Sequence, residues 1–267
     1  MKENVKAKLQ EFTHHKYVEI TNRCNASLFY ALFVAKKLDP RKKIAIPNQG
    51  GWLKYKTYAE ILEFEVIEYP TEDCTIDVPA LLAMKDECGA ILITNPGGYI
   101  ARQPLNELYL ACSGGPLIIE DVSGSLGNYC DNAHIKIGSF GKWKPISIGY
   151  GGFISFEKEE HFILAKEIMT TSKVGPDFYE LLERQLENVK ERYQQIFLRS
   201  RQIKKDLNKF TILKRDEDGL VVMVAFQHDS EKEAIVRYCT EHSLDYTVCP
   251  RSIRTLQTAI SIEVKRS

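Results

Sequence analysis

The chain has no charge of either sign to spare. It carries 36 Lys and Arg against 36 Asp and Glu in 267 residues, a formal net charge of zero. That balance argues against a surface built mainly to neutralise nucleic-acid phosphates. It also lacks any run of 18 apolar residues. The longest low-charge stretches, 89–101 and 145–156, are broken by Pro and Gly, which excludes a membrane-spanning helix. No two of its 7 cysteines stand at C-x-x-C spacing and their number is odd, so neither a disulfide framework nor a zinc site is written in the chain. Reduced, mostly buried thiols and a cytoplasmic location are expected. Acids and bases interleave over residues 1–8 with no apolar core behind them, against a secretory signal. There is no repeat and no low-complexity tract. No G-x-G-x-x-G joins a first strand to a first helix, which removes a nicotinamide-binding domain; Ser123-Gly124-Ser125-Leu126-Gly127 is only a partial echo, in the wrong place.

What is present is a hydrophobic fraction of 44%, enough for a core that needs no staples. Up to about residue 156, short apolar runs alternate with helical patterns. The strand candidates are 43–46, 64–68, 90–94, 117–121, 135–139 and 153–156. Helical patterns lie near 25–38, 55–63, 78–86 and 104–112. Strands apolar on both faces and separated by helices predict an α/β fold with a mainly parallel sheet, whose ligands bind at the carboxyl ends of the strands. Gly175-Pro176-Asp177 opens a helix, and Leu182, Leu186, Val189, Tyr193 and Ile196 carry its apolar stripe to about Leu207. The remainder reads strand–strand–helix–strand–strand. The expected division is a large domain over 1–172, a connecting helix over 173–209 and a small α+β domain over 210–267.

Four segments carry polar chemistry. Thr21-Asn22-Arg23-Cys24-Asn25-Ala26-Ser27 leads into a helix, whose first-turn amides and dipole suit a phosphate; an ordinary N-cap by Asn22 or Asn25 explains it too. Gly50-Gly51-Trp52 can project a flat indole onto a planar ligand or into the core. Glu120-Asp121-Val122-Ser123 ends a central strand, where α/β proteins place functional groups. Ser139-Phe140-Gly141-Lys142-Trp143-Lys144 sets two lysines in a Gly-rich, otherwise uncharged stretch. A desolvated lysine there loses proton affinity and becomes a nucleophile suited to a Schiff base.

In this order, the segments resemble the pyridoxal-phosphate (PLP) enzymes of fold type I, most of all the DegT/StrS-type aminotransferases. The loop-helix from Thr21 resembles S-G-T-x-A-L, with Cys24-Asn25 where Gly-Thr usually stands. Glu120-Asp121 resembles the strand-end E-D, and Ser139 to Lys144 followed by Gly149-Tyr150-Gly151-Gly152 resembles S-F-x-x-x-K then G-x-G-G. The resemblance implies a PLP-binding large domain and a small C-terminal domain. It places the Schiff-base (aldimine) lysine at Lys144, not Lys142, and the partner of the ring nitrogen at Asp121. Cys24, Asn25, Ala26, Ser123 and Ser139 would seat the cofactor. Trp52 would cover the ring and Asn95 would bond its hydroxyl. Tyr99 and Arg251, or its neighbour Arg254, would meet the substrate. The sequence departs from the resembled pattern at Gly124, where Gln or His usually follows the Asp by three, and in Asn95-Pro96-Gly97-Gly98-Tyr99, where a His-containing loop is usual.

The activity so implied is transfer of an amino group from a small-molecule amino donor to a keto acceptor. The enzyme would be a homodimer with the site at the interface, with no metal, nucleic acid or membrane. A PLP-dependent lyase or sulfur/selenium-transfer enzyme, with Cys249 as acceptor, and a non-catalytic PLP-binding regulator are the alternatives.

Overall fold

Five-residue runs such as Ala90-Ile91-Leu92-Ile93-Thr94 have no polar face to offer solvent, so they form strands only where both faces are covered. The computed structural model describes residues 1–266 and meets that demand with helices on both sides of one sheet. The chain begins with α1 (Lys2–Thr13), β1 (Tyr17–Thr21), α2 (Cys24–Leu38), β2 (Lys43–Pro47), α3 (Tyr55–Ile61) and β3 (Glu65–Tyr69). A small hairpin of β4 (Thr71–Glu72) and β5 (Thr75–Ile76) precedes α4 (Val78–Met84), β6 (Ala90–Thr94), α5 (Leu105–Ala111) and β7 (Leu117–Asp121). Then come β8 (Ile135–Ser139), β9 (Gly152–Phe156), α6 (Glu159–Met169) and the long α7 (Pro176–Asp206). The chain closes with β10 (Thr211–Ile212), β11 (Val222–Ala225), α8 (Asp229–Glu241), β12 (Tyr246–Val248) and β13 (Ala259–Ile262).

The main sheet runs β1-β9-β8-β7-β6-β2-β3. The pairs from β3 through β8 are parallel, as the alternation of strands and helices predicts. β9 is the exception, antiparallel to both β8 and β1. No helix separates it from β8, and a strand without a crossover helix returns antiparallel. Side chains alternate across the sheet. Ile119, Ile137 and Ile154 face Leu28 and Leu32 of α2, while Ile91, Ile93 and Ile118 face Leu81 of α4 and Leu108 of α5. Each such fully buried aliphatic side chain contributes about 1.5–3 kcal/mol.

The stripe on α7 buries Phe178, Leu182, Leu186, Val189, Tyr193, Ile196 and Ile203. Pro176 occupies its first turn and Lys204 its last, where the Lys204 amine donates to the Arg215 carbonyl at 3.0 Å. The C-terminal strands form a fully antiparallel sheet, β10-β11-β13-β12. Val222, Val224, Ile260 and Ile262 share a core with α7 and with Val5 and Leu9 of α1, so the two sheets are joined through α7. We propose the division 1–172, 173–209 and 210–267 on this layout.

Candidate active site

The parallel strands deliver their carboxyl ends to one place. Gly50 after β2, Thr94 of β6, Asp121 of β7 and Ser139 of β8 all line a single cavity of about 440 Å³, a size typical of ligand sites. The first turn of α2 opens onto it through Arg23, Cys24 and Asn25, and no side chain caps that turn. The C-terminal part closes it with Arg254, Lys265 and Arg266.

Alternation along β7 sends Glu120 and Asp121 to opposite faces. Asp121 turns to the cavity, where its Oδ2 accepts from the Tyr55 hydroxyl at 2.6 Å and its Oδ1 from the Ser123 amide at 3.0 Å. The Tyr55 hydroxyl also meets Thr94 Oγ1 at 2.8 Å. Ser123 Oγ accepts from the Ser139 amide at 2.9 Å, and Ser139 Oγ from the Gly141 amide at 3.1 Å. The strand ends are thus laced together beneath the cavity floor.

Lys144 follows a tight turn in which Trp143 takes a left-handed conformation at φ 67°. Its amine donates to the Tyr99 hydroxyl and stands 4.9 Å from that ring's centroid. Burial pulls the ammonium's pKa down, but the Tyr99 oxygen and the Asp121 carboxylate outweigh it, so the net shift is upward. Lys142 is exposed, with its amine 4.7 Å over the Trp143 ring.

Arg254 grips Glu263 with a two-pronged ion pair, Nε to Oε1 at 3.0 Å and Nη2 to Oε2 at 2.8 Å, and Lys265 donates to the same carboxylate. Burial alone would raise the Glu263 carboxyl; Arg254 and Lys265 override it and hold it at about 2. Lys265 moves the other way. Burial, with Arg254 nearby, brings it down to about 7 despite Glu263.

Of the residues expected at the site, Lys144, Asp121, Cys24, Asn25, Trp52, Ser123, Ser139 and Tyr99 line the cavity together. Trp52 sits at its mouth with Nε1 donating to Asn25 Oδ1 at 3.2 Å. Three expectations are corrected. Ala26 does not line the cavity, and its amide is spent on the Arg23 carbonyl at 3.0 Å. Asn95 lies behind the wall, fully buried, donating to Glu120 at 2.8 Å and to Asp131 at 3.1 Å and accepting from the Tyr129 hydroxyl at 2.9 Å. Arg251 is exposed and away from the cavity, and its neighbour Arg254 reaches it but is committed to Glu263.

Tyr55, Thr94, Lys265 and Arg266 were not anticipated. Tyr55 opens a short helix with no motif around it. The charges of Glu263 and Lys265, directly after the apolar strand β13, were the one available signal for the C-terminal wall.

Neither cysteine near the expected chemistry is a ready acceptor. Burial, with Asp121 beside it, pushes the Cys24 thiol far up, and burial also raises Cys249, which is outside the cavity. All seven cysteines are free. Among the described residues no group of His, Cys, Asp and Glu could hold a metal ion, and no helix is long and apolar enough to cross a membrane.

The family model for aminotransferase class I and II matches residues 3–98. Among solved structures, Helicobacter pylori PseC, an aminotransferase involved in pseudoaminic acid biosynthesis, is similar over 98% of this chain and 85% of its own. Its TM-score is 0.79 at 15% identity. 3-Amino-5-hydroxybenzoic acid synthase covers the same shares with TM-score 0.76 at 15% identity. Spr1654 from Streptococcus pneumoniae, assigned as a sugar aminotransferase and solved in PMP and PLP forms, covers 98% and 84% with TM-score 0.76 at 11% identity in the PMP form. A search of curated protein sequences finds no match. The fold is that of the PLP-dependent transferases of fold type I, as the sequence motifs imply.

Proposed function

We propose that the chain is a PLP-dependent aminotransferase of the DegT/StrS type, moving an amino group from an amino acid to a keto substrate. The observation that carries this reading is the pairing of a lysine amine, Lys144, with a strand-end carboxylate, Asp121, in one cavity at the carboxyl ends of parallel strands. The residues suit the cofactor. An uncapped helix start and a serine hydroxyl lie on the same cavity as the carboxylate, the amine and an indole, giving each part of a phosphorylated pyridine a partner of the right chemistry.

When bound, PLP supplies an electrophilic carbonyl carbon and a ring that accepts an electron pair. Asp121, held by Tyr55 and Ser123, would pair with the ring nitrogen and favour its protonated form. The first turn of α2 and Ser139 would hold the phosphate, and Trp52, at the mouth of the cavity, would shield the ring from water. Lys144 Nζ is the nucleophile when neutral, and as a free amine it carries the proton taken from the donor's Cα.

The exposed apolar side chains Trp52, Leu53, Trp143, Tyr150 and Leu256 support a homodimer with the site at its interface. The thiol positions give no support to sulfur transfer. Amino-donor profiling with 2-oxo acids and keto sugars as acceptors tests the reading. Stoichiometric exchange of amino and keto groups is expected, and elimination to a keto acid plus ammonia would overturn it.

A further inference from the structure

Gly124 stands where the resembled sequences carry Gln or His, three residues after the Asp. The space beside it is not empty. A Cβ at Gly124 would stand 3.0 Å from Cδ1 and Cε1 of the Tyr99 ring and 3.0 Å from Pro96 Cδ. The Tyr99 ring therefore uses the room that a side chain at position 124 would need.

Tyr99 is held there firmly. Its backbone takes a left-handed conformation at φ 69°, unusual for an aromatic residue. Its amide donates to the Pro96 carbonyl at 3.2 Å, and its carbonyl accepts from the Leu220 amide at 2.9 Å. The side chain is 8% exposed, yet it lines the cavity. Three cations gather on the ring: Lys144 Nζ at 4.9 Å, Lys265 Nζ at 4.7 Å and the Arg254 guanidinium at 5.0 Å from its centroid. Among the described residues only Lys144 also bonds the hydroxyl.

We propose that Tyr99 is a catalytic residue of this chain: from the room Gly124 leaves, its hydroxyl orients the Lys144 amine and shares its proton. This rests on the reading of Lys144 as the cofactor-linked lysine. Tyr99 thus acts on the reacting nitrogen rather than on the substrate. The groups facing the Lys144 amine are Tyr99, Asp121 and Cys24, with Lys265 across the Tyr99 ring. Among the described residues, Lys144 is the one hydrogen-bond partner of the Tyr99 hydroxyl. Removal of that hydroxyl therefore acts on Lys144 directly.

The test uses cofactor-free full-length protein, so it does not depend on turnover. Wild type, Tyr99→Phe and Gly124→Ala are labelled with trace acetic anhydride from about pH 7 to about pH 11, and acetylation of Lys144 is read by mass spectrometry against exposed Lys142. In Tyr99→Phe the labelling midpoint of Lys144 is expected to fall by about one pH unit, about tenfold more free amine below the midpoint. Gly124→Ala displaces the ring and should shift the midpoint in the same direction by less. It decides the matter if Tyr99→Phe does not fold. A Lys144 midpoint unchanged in the folded variants would overturn the proposal. Failure of the PLP reading itself shows separately, as wild type that takes up no added PLP.

Discussion

The Tyr55 hydroxyl lies 2.6 Å from Asp121 Oδ2 and ties the start of α3 to the end of β7. The second Asp121 oxygen is held by the Ser123 amide at 3.0 Å, so the carboxylate cannot rotate away from the cavity. A hydrogen bond to a charged group contributes about 1.5–3 kcal/mol. Tyr55→Phe is therefore expected to weaken PLP retention about tenfold with the fold intact. Asp121→Asn, which removes the charge itself, should cost on the order of 100-fold or more in turnover. Equilibrium dialysis of PLP and steady-state rates check both.

Trp52 is 40% exposed, and its indole donates one hydrogen bond, to Asn25. A side chain that serves the ligand rather than the core should matter little to folding. Trp52→Ala is expected to leave the unfolding free energy of the cofactor-free protein, read by urea titration, within about 0.5 kcal/mol of wild type. PLP retention should drop about threefold to tenfold, as expected for loss of an aromatic face.

Cys249 is buried, outside the cavity, and its thiol is pushed up by burial. Cys249→Ser should leave amino transfer within about twofold of wild type, since its sulfur meets no reacting atom. Abolished turnover would point instead to sulfur-transfer chemistry.

Glu263 links the C-terminal wall to pH. Its pKa falls from 4.5 to about 2 on folding, because Arg254 and Lys265 outweigh the effect of burial. A lowered carboxylate gives stability that is fully present above the unfolded value and disappears as pH falls through the folded one. Its contribution is thus lost between about pH 4.5 and pH 2. Glu263→Gln should flatten stability across that window. It should also cost about 3–5 kcal/mol at neutral pH by leaving the buried Arg254 guanidinium without its counter-ion. Urea unfolding at a series of pH values reads both effects.

The central strands of the main sheet were legible because they are apolar on both faces and separated by helices, whereas the edge strand β1, with Glu19 in its middle, was not; the stripe on α7 was legible because it keeps one period for its whole length. The direction of β9 follows from the missing helix between residues 139 and 152, a signal that the strand pattern by itself does not carry, since β9 is buried at every position. α1 escaped because only Val5, Leu9 and Thr13 are buried in a helix otherwise dominated by polar residues. At the site, residues embedded in motifs, such as Asp121 and Lys144, could be named from the chain alone. Tyr55 and Lys265 could not, since their positions follow from how α3 and the C-terminal segment fold over the strand ends. Asn95 shows the opposite failure: a polar residue at a strand end whose amide is consumed by Glu120 and Asp131 behind the cavity.

The central claim is that Lys144, and not Lys142, carries the cofactor. The protein is incubated with PLP, scanned for a visible absorbance band, reduced with borohydride and digested. The account predicts a band that disappears on reduction and a pyridoxyl group on the peptide at Lys144. A protein that stays colourless with added PLP, or a pyridoxyl group on Lys142, would contradict it.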